Sequence, residues 1–539
     1  MTRADTGVRR RSLVPRALLS SFAALLLMLT TTATAAPPRP SAVVSTDEGL
    51  VRGQVHDEYR LFQGIPYAEP PVGDLRWRPP RPAAAWNGVR DATYPRSRCP
   101  QPTRPGQQQQ RPGFDEDCLY LNVTTPVSAK RTNGSKPPVM VWVHGGNNET
   151  GSGSRYDARE LAVRGNVVVV TINYRLGALG FLAHPALEVG DDRKLQAGNY
   201  GLLDQQAALR WVQRNAKAFG GNPNNVTLFG ESSGSADSCA NLASPEAAGL
   251  FHKVIAQSYS CTAATRTERE AQRSASEFAA RVGCGRGGAR QVATCLRRLD
   301  PATLVETGLS NPYPVAGGDD VLPLEPRTAL RRGRFNKVPV MHGNTLDEMR
   351  LFIAREFPEP ISAAQYEGIV RERYPKRAAE ILARYPAAEY PSPRIALATA
   401  ATDGIGPLST CRHLEAYRLF AGSGVPTYAY QFADRDAPSP VDVPDFDEGA
   451  AHTTELEYLF PGPLGAEPTP PQQRLSESMM SYWTSFARRG RPSAPRAPEW
   501  PRFHTSDDVL SLAPGPGGVH TTNVASNSDC AYWKKHFRE

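Results

Sequence analysis

Metal-binding spacings are missing from this chain. No Cys-x2-Cys pair occurs among its eight cysteines, and its ten histidines show no ligand-like clustering. A bound metal or other cofactor is therefore not expected. Also missing is any run of Lys or Arg interleaved with aromatics. The formal charge is +8, and five arginines against one aspartate in residues 1–35 supply half of it. That leaves no basis for a nucleic-acid partner. Beyond residue 35 no segment is apolar enough to span a bilayer, so no stable membrane anchor is expected. There is no internal repeat.

The one long apolar run lies at the start. Arginines up to Arg16 precede "ALLSSFAALLLML", and "TTTATAAPP" follows. Ala33-Thr34-Ala35 fits a small-residue cleavage site, which predicts a signal peptide over 1–35 and a mature chain from Ala36. The run is short for a membrane span and ends in Thr and Ala. "RRRSLV" also resembles a twin-arginine signal. In an exported, secreted protein an even number of cysteines points to disulfides, although eight cysteines allow 105 pairings.

Short apolar runs rich in β-branched residues recur at Val139–Val143, Val167–Ile172, Val226–Phe229, Val254–Ala256, Val338–Met341, Thr427–Gln431 and Val509–Leu512. Most are continuously apolar, the pattern of strands covered on both faces. Helix-like segments lie between them. The clearest is "DQQAALRWVQRNAKAF", whose apolar face stops at "GGNP". Strands alternating with helices predict an α/β fold with a mostly parallel central sheet. The start of the mature chain, "STDEGLVRGQVHDEYRLFQGIPYA", alternates like a small antiparallel hairpin. Two Pro- and Gln-rich stretches, between Cys99 and Cys118 and from Pro461 to Gln473, read as surface loops. Neither is long enough to separate domains, so 36–539 is read as one domain.

Two of the runs end in small and polar residues. "VTLFGESSGS" places Gly230-Glu231-Ser232-Ser233-Gly234 between a strand and a helix-capable segment. A serine at such a turn exposes its Oγ, and the flanking glycines relieve crowding where the backbone is strained. The N–H of Ser233 would then point from a helix start at the reacting oxygen. "VMVWVHGGNNET" ends its strand in His144-Gly145-Gly146-Asn147, a stretch able to present further N–H groups to an oxyanion. A serine nucleophile needs a base, and the base needs an orienting acid. Downstream of Ser232 stand His413, His452, His504, His520 and His536. His452 follows Gly449-Ala450-Ala451, small enough to reach a crowded site, and the others are read as surface residues. For the acid, "VPVMHGNTLDE" offers Asp347 and Glu348, and spacing alone leaves both open.

These residues together resemble the type-B carboxylesterase family, α/β-hydrolases that include cholinesterases and para-nitrobenzyl esterases. The resemblance rests on ordered blocks: "FQGIPYAEPPVGDLRWRPP", "EDCLYLNV", "VWVHGG", "INYRLGALGFL", "GNYGLLDQQAALRWVQRNAKAFGGNPNNVTLFGESSG", "GNTLDE" and "GAAHTTELEYLF". It implies an α/β-hydrolase fold and hydrolysis of small-molecule carboxylic esters through an acyl-enzyme. Ser232 would be the nucleophile, Glu348 the acid and His452 the base. Gly146, Asn147 and Ser233 would form the oxyanion hole, and Ser258 would support the acid. The resemblance also implies three disulfides, Cys99–Cys118, Cys284–Cys295 and Cys411–Cys530. Cys239 and Cys261 remain and are expected to form a fourth.

The chain departs from the family pattern in places. Asn147-Asn148 replaces Gly or Ala followed by an aromatic, Ser233 replaces Ala, and Met349 follows the acid where Gly is usual. Backbone groups serve the oxyanion, and Asn tolerates positive φ, so the changes bear on the acyl pocket's polarity. A silent binding protein on the same fold is the alternative, opposed by the intact Ser232, Glu348 and His452. Against a cholinesterase, the Cys99–Cys118 loop holds Phe114 as its only aromatic. Against a lipase, it holds no long apolar lid. Oligomeric state is not legible in the sequence.

Overall fold

A computed structural model describes residues 41–103, 113–127, 134–188, 198–317, 319–462 and 467–537. The expected signal peptide, the middle of the Cys99–Cys118 loop and residues 463–466 of the second loop lie outside the described residues.

The β-branched runs become the middle of an eleven-stranded sheet. From one edge its order is Val519–Thr522, Val509–Leu512, Thr427–Phe432, Val340–Thr345, Lys253–Gln257 and Asn222–Glu231. It continues through Pro138–Val143, Val168–Ile172, Tyr120–Pro126, Tyr59–Pro66 and Gln54–Val55. From Val509–Leu512 to Val168–Ile172 every neighbour is parallel, and both edges are antiparallel.

Continuous apolar runs suit this sheet because helices cover both faces. In Pro138–Val143, Val139, Val141 and Val143 enter one core cluster while Met140 and Trp142 enter the other. The first face is closed by helix Tyr200–Asn215 through Ala208, Leu209 and Val212. The second is closed by helix Pro470–Arg489 through Met479, Trp483 and Phe486. Trp142 lies 4.8 Å from both Phe229 and Phe460, ring to ring. Truncating it to Ala would cost roughly 3–5 kcal/mol. The described residues from Ser41 onward cluster as one compact unit.

Three expectations need adjusting. The strand expected at Val338–Met341 begins at Val340 and runs on to Thr345. Pro339 has no N–H to give the ladder, and the added His342, Gly343 and Asn344 are too polar to read as strand. The amphipathic helix starts earlier, at Tyr200, and ends at Asn215. The amino-terminal alternation yields two hairpins. Val43–Ser45 with Leu50–Arg52 forms a small sheet with Val89–Asp91, whereas Gln54–Val55 and Tyr59–Pro66 join the large one.

All eight cysteines pair: Cys99–Cys118, Cys239–Cys261, Cys284–Cys295 and Cys411–Cys530. Cys239 lies on helix Ser233–Ala243, so its bond ties that helix to the loop beyond strand Lys253–Gln257. Among the described residues no helix is long and apolar enough to cross a membrane.

Candidate active site

Parallel strands send their carboxyl ends to one edge of a sheet, where loops can carry chemistry. Val143 pairs with Gly230, Glu231 with Gln257, and Gln257 with Gly343. The loops beginning at His144, Ser232, Ser258 and Leu346 therefore leave the same edge side by side.

Ser232 sits at the strand-to-helix turn with φ 56° and ψ −126°. A non-glycine residue held there stores strain that the surrounding structure must impose. Close packing imposes it. A Cβ on Gly234 would lie 2.1 Å from the Val143 carbonyl oxygen, so this helix start fits under the neighbouring strand only as glycine. A Cβ on Gly145 would lie 3.0 Å from that of Ser232. The two motifs are thus in direct contact.

Beyond Gly145 the backbone turns through three consecutive positive φ values, 111° at Gly146, 60° at Asn147 and 54° at Asn148. Successive N–H groups in such a turn converge into an anion-binding concavity. Among the described residues the N–H groups of Gly146 and Asn147 have no partner. The Ser233 N–H opens helix Ser233–Ala243, where the first amides have no intrahelical acceptor.

The two departures from the family pattern meet here. The Asn148 N–H donates to Ser233 Oγ at 3.1 Å. The Asn148 side chain, fully buried, donates to Asp237 Oδ1 at 3.1 Å and accepts from the Tyr174 hydroxyl at 3.0 Å. Gln205 donates to the other Asp237 oxygen at 2.6 Å. Burial pushes the Asp237 carboxyl up to about 7, opposed by the hydrogen bonds from Gln205 and Asn148. A polar network therefore bolts the Gly146–Asn147 turn to the helix after Ser232. Asn148 and Ser233 are 85 residues apart in the chain, and no local pattern signals that they touch. Asn147 instead faces outward and accepts from the Tyr313 hydroxyl at 3.0 Å.

The carboxylates left open by spacing are now distinct. Glu348 is fully buried; its Oε2 lies 2.6 Å from His452 Nδ1, and its Oε1 accepts from the Thr345 N–H at 2.8 Å. Asp347 turns away to Arg350 at 3.0 Å and Arg435 at 3.0 Å. It also accepts from the Ala450 N–H at 3.1 Å, which fastens the small-residue run before His452 to the acid loop. His413, read from sequence as a surface residue, is fully buried with Nδ1 2.8 Å from the Ser409 carbonyl oxygen. Its helix, Thr410–Gly422, carries it inward against His342. Ser258 has φ 53°, and its hydroxyl makes no hydrogen bond, to Glu348 or to any other described residue.

His452 Nε2 lies 3.1 Å from Glu231 Oε1, and no hydrogen bond joins it to Ser232. Glu231 occupies the variable position before the serine and drew no attention in sequence, where a buried carboxylate there looks like any other. Burial pushes Glu231 up to about 8 and Glu455 up to about 7. Burial opposes charge on His452, but the carboxylates of Glu231 and Glu348 outweigh it and carry the imidazole up to about 9. Beside them Phe352 lies 5.1 Å from the imidazole, ring to ring, in an apolar group with Tyr259, Leu408 and Met349 that packs on Ala236 of the elbow helix.

Comparison with known proteins gives the family in which this arrangement occurs. Residues 40–533 match the Carboxylesterase family. The chain is 35% identical to a medium-chain fatty acyl-CoA hydrolase of Anas platyrhynchos, over 87% of this chain and 88% of that one. It is 34% identical to a fumonisin B1 esterase of Sphingopyxis macrogoltabida, over 91% and 90% of the two chains. With a para-nitrobenzyl esterase of Bacillus subtilis the identity is 34%, over 86% and 92%. The chain belongs to the carboxylesterase family and is a carboxylic ester hydrolase of the α/β-hydrolase fold.

Proposed function

We propose that ester hydrolysis runs through Ser232, His452 and Glu348. Ser232 Oγ attacks the ester carbonyl carbon and its proton passes to His452 Nε2, while Glu348 holds Nδ1 and stabilises the imidazolium. For this, Nε2 must exchange its Glu231 contact for Ser232 as substrate enters. The oxyanion is stabilised by the N–H groups of Gly146, Asn147 and Ser233. Collapse breaks the ester C–O bond, the alcohol leaves with the proton from His452, and Ser232 is acylated. Water then loses a proton to His452 as it attacks the acyl carbon; the Ser232 Oγ–acyl bond breaks, His452 returns the proton to Ser232 Oγ, and the acid departs. The observation that carries this reading is the 2.6 Å contact between His452 Nδ1 and Glu348 Oε2, with Asp347 occupied by two arginines.

The acyl side of the site is bounded by the Asn147–Tyr313 pair and by Tyr259, Met349 and Phe352. Relatives are named for fatty acyl-CoA, fumonisin B1 and para-nitrobenzyl substrates. For this chain the mixed wall favours small-molecule esters whose acyl part carries a polar group near the carbonyl. The protein acts outside the cell, after loss of residues 1–35, where its four disulfides persist.

Turnover of p-nitrophenyl esters, plain against hydroxyl- or keto-bearing acyl groups, tests the substrate class. Preference for plain long acyl chains would reject it. Amino-terminal sequencing of the exported protein should begin at Ala36; an intact Met1 would reject export with cleavage.

A further inference from the structure

A cavity of about 550 Å³ opens over the Cys411–Cys530 disulfide and shares no residue with the site described above. That volume falls in the range of small-molecule pockets. Its floor is apolar, made by the disulfide with Leu414, Leu419, Ala531 and Phe537. Its rim is basic: Arg327, Arg331, Arg418, Lys534 and Lys535.

Among the described residues one carboxylate, Glu415, faces these five cations, and its oxygens are already filled. Glu415 Oε1 accepts from Arg327 Nη2 at 2.9 Å and from Arg331 Nη2 at 2.8 Å. Its Oε2 accepts from Arg412 Nη1 at 3.3 Å. Among the described residues no carboxylate pairs with Arg418, Lys534 or Lys535. Burial lowers Arg412, and the positive charges of Arg327 and Arg331 push in the same direction. Like charges gathered around a low-dielectric hollow create a field that draws an anion. A bare anion would leave the apolar floor in water, and a neutral apolar molecule would leave the rim's repulsion in place.

We propose that this cavity binds an amphiphilic anion, an alkyl chain ending in one carboxylate. The head lies among Arg418, Lys534 and Lys535, and the chain covers the disulfide, Leu414 and Phe537. The inference does not rest on the catalytic assignment.

Titration calorimetry of the full-length enzyme and of Ser232→Ala with decanoate tests the site. Both should show saturable binding. The double variant Arg418→Glu with Lys535→Glu should bind decanoate at least tenfold more weakly. These side chains are exposed, so folding should survive. The single change Lys535→Gln should show part of the same loss. Propionate, which has the head alone, and 1-decanol, which has the chain alone, should each bind at least tenfold more weakly than decanoate. Absent saturable binding, or affinity unchanged in the double variant, would overturn the site. Propionate binding as tightly as decanoate would reduce it to an anion site, and equal binding of decanol would remove the role of charge; either rejects the proposal.

Discussion

Glu231 Oε1 and His452 Nε2 lie 3.1 Å apart, on the imidazole nitrogen opposite the one held by Glu348. His452 is therefore flanked by two buried carboxylates. A third, Glu455, accepts a 3.3 Å hydrogen bond from Gln257, which in turn accepts from Trp483.

This pairing sets the pH dependence. His452 accepts a proton only when neutral, so turnover falls as pH drops through its pKa. Its pKa is raised, which places the acid limb of kcat/KM above the ordinary histidine range. Glu231→Gln removes one of the two carboxylates that raise it, and the limb should move to lower pH by roughly one unit. A limb that stays in place would reject the coupling.

Glu348 and Asp347 should separate by readout. Glu348→Gln removes the carboxylate held against His452 Nδ1 and should lower kcat by about three to four orders of magnitude. Asp347→Asn should change kcat by less than about tenfold, yet destabilise the fold by about 1–3 kcal/mol, Arg350 keeping Asp447 at 2.8 Å as a second partner. It breaks a buried pair with Arg350, both side chains being 7% exposed. Steady-state kinetics and thermal unfolding on both variants check this; a reversed ranking in kcat would transfer the acid role to Asp347.

Ser232→Ala should abolish turnover and fluorophosphonate labelling with no loss of fold. Ser233→Ala keeps its own N–H and should stay active. It leaves the buried Asn148 N–H without its 3.1 Å acceptor, a cost of about 1–2 kcal/mol. Peptide mass spectrometry should find the adduct on Ser232, and an adduct on Ser233 or Ser235 would refute the elbow assignment.

Cys411 and Cys530 are 119 residues apart in sequence. The chain-entropy model gives such a crosslink about 4–5 kcal/mol. Replacing both by Ser should lower the denaturant midpoint more than replacing Cys284 and Cys295, only 11 residues apart. Equal shifts would argue against an entropic origin. Non-reducing peptide mapping should recover Cys239 linked to Cys261.

Local pattern determined much of this protein. Continuous β-branched runs identified the sheet interior because a strand buried on both faces has no polar period. A serine between glycines, strand before and helix after, identified the elbow because that backbone tolerates little else. Tertiary structure decided what depends on distant partners. Glu348 and His452 are 104 residues apart, so no spacing rule separates Glu348 from Asp347; only the fold, which gives Asp347 two arginines and Glu348 the imidazole, does so. The same holds for Glu231, ordinary in sequence until the chain returns 221 residues later to set His452 beside it, and for Ser258, whose hydroxyl finds no partner. A contact between segments far apart in the chain is fixed by packing, and packing is a property of the whole sheet and its helices rather than of any stretch of sequence.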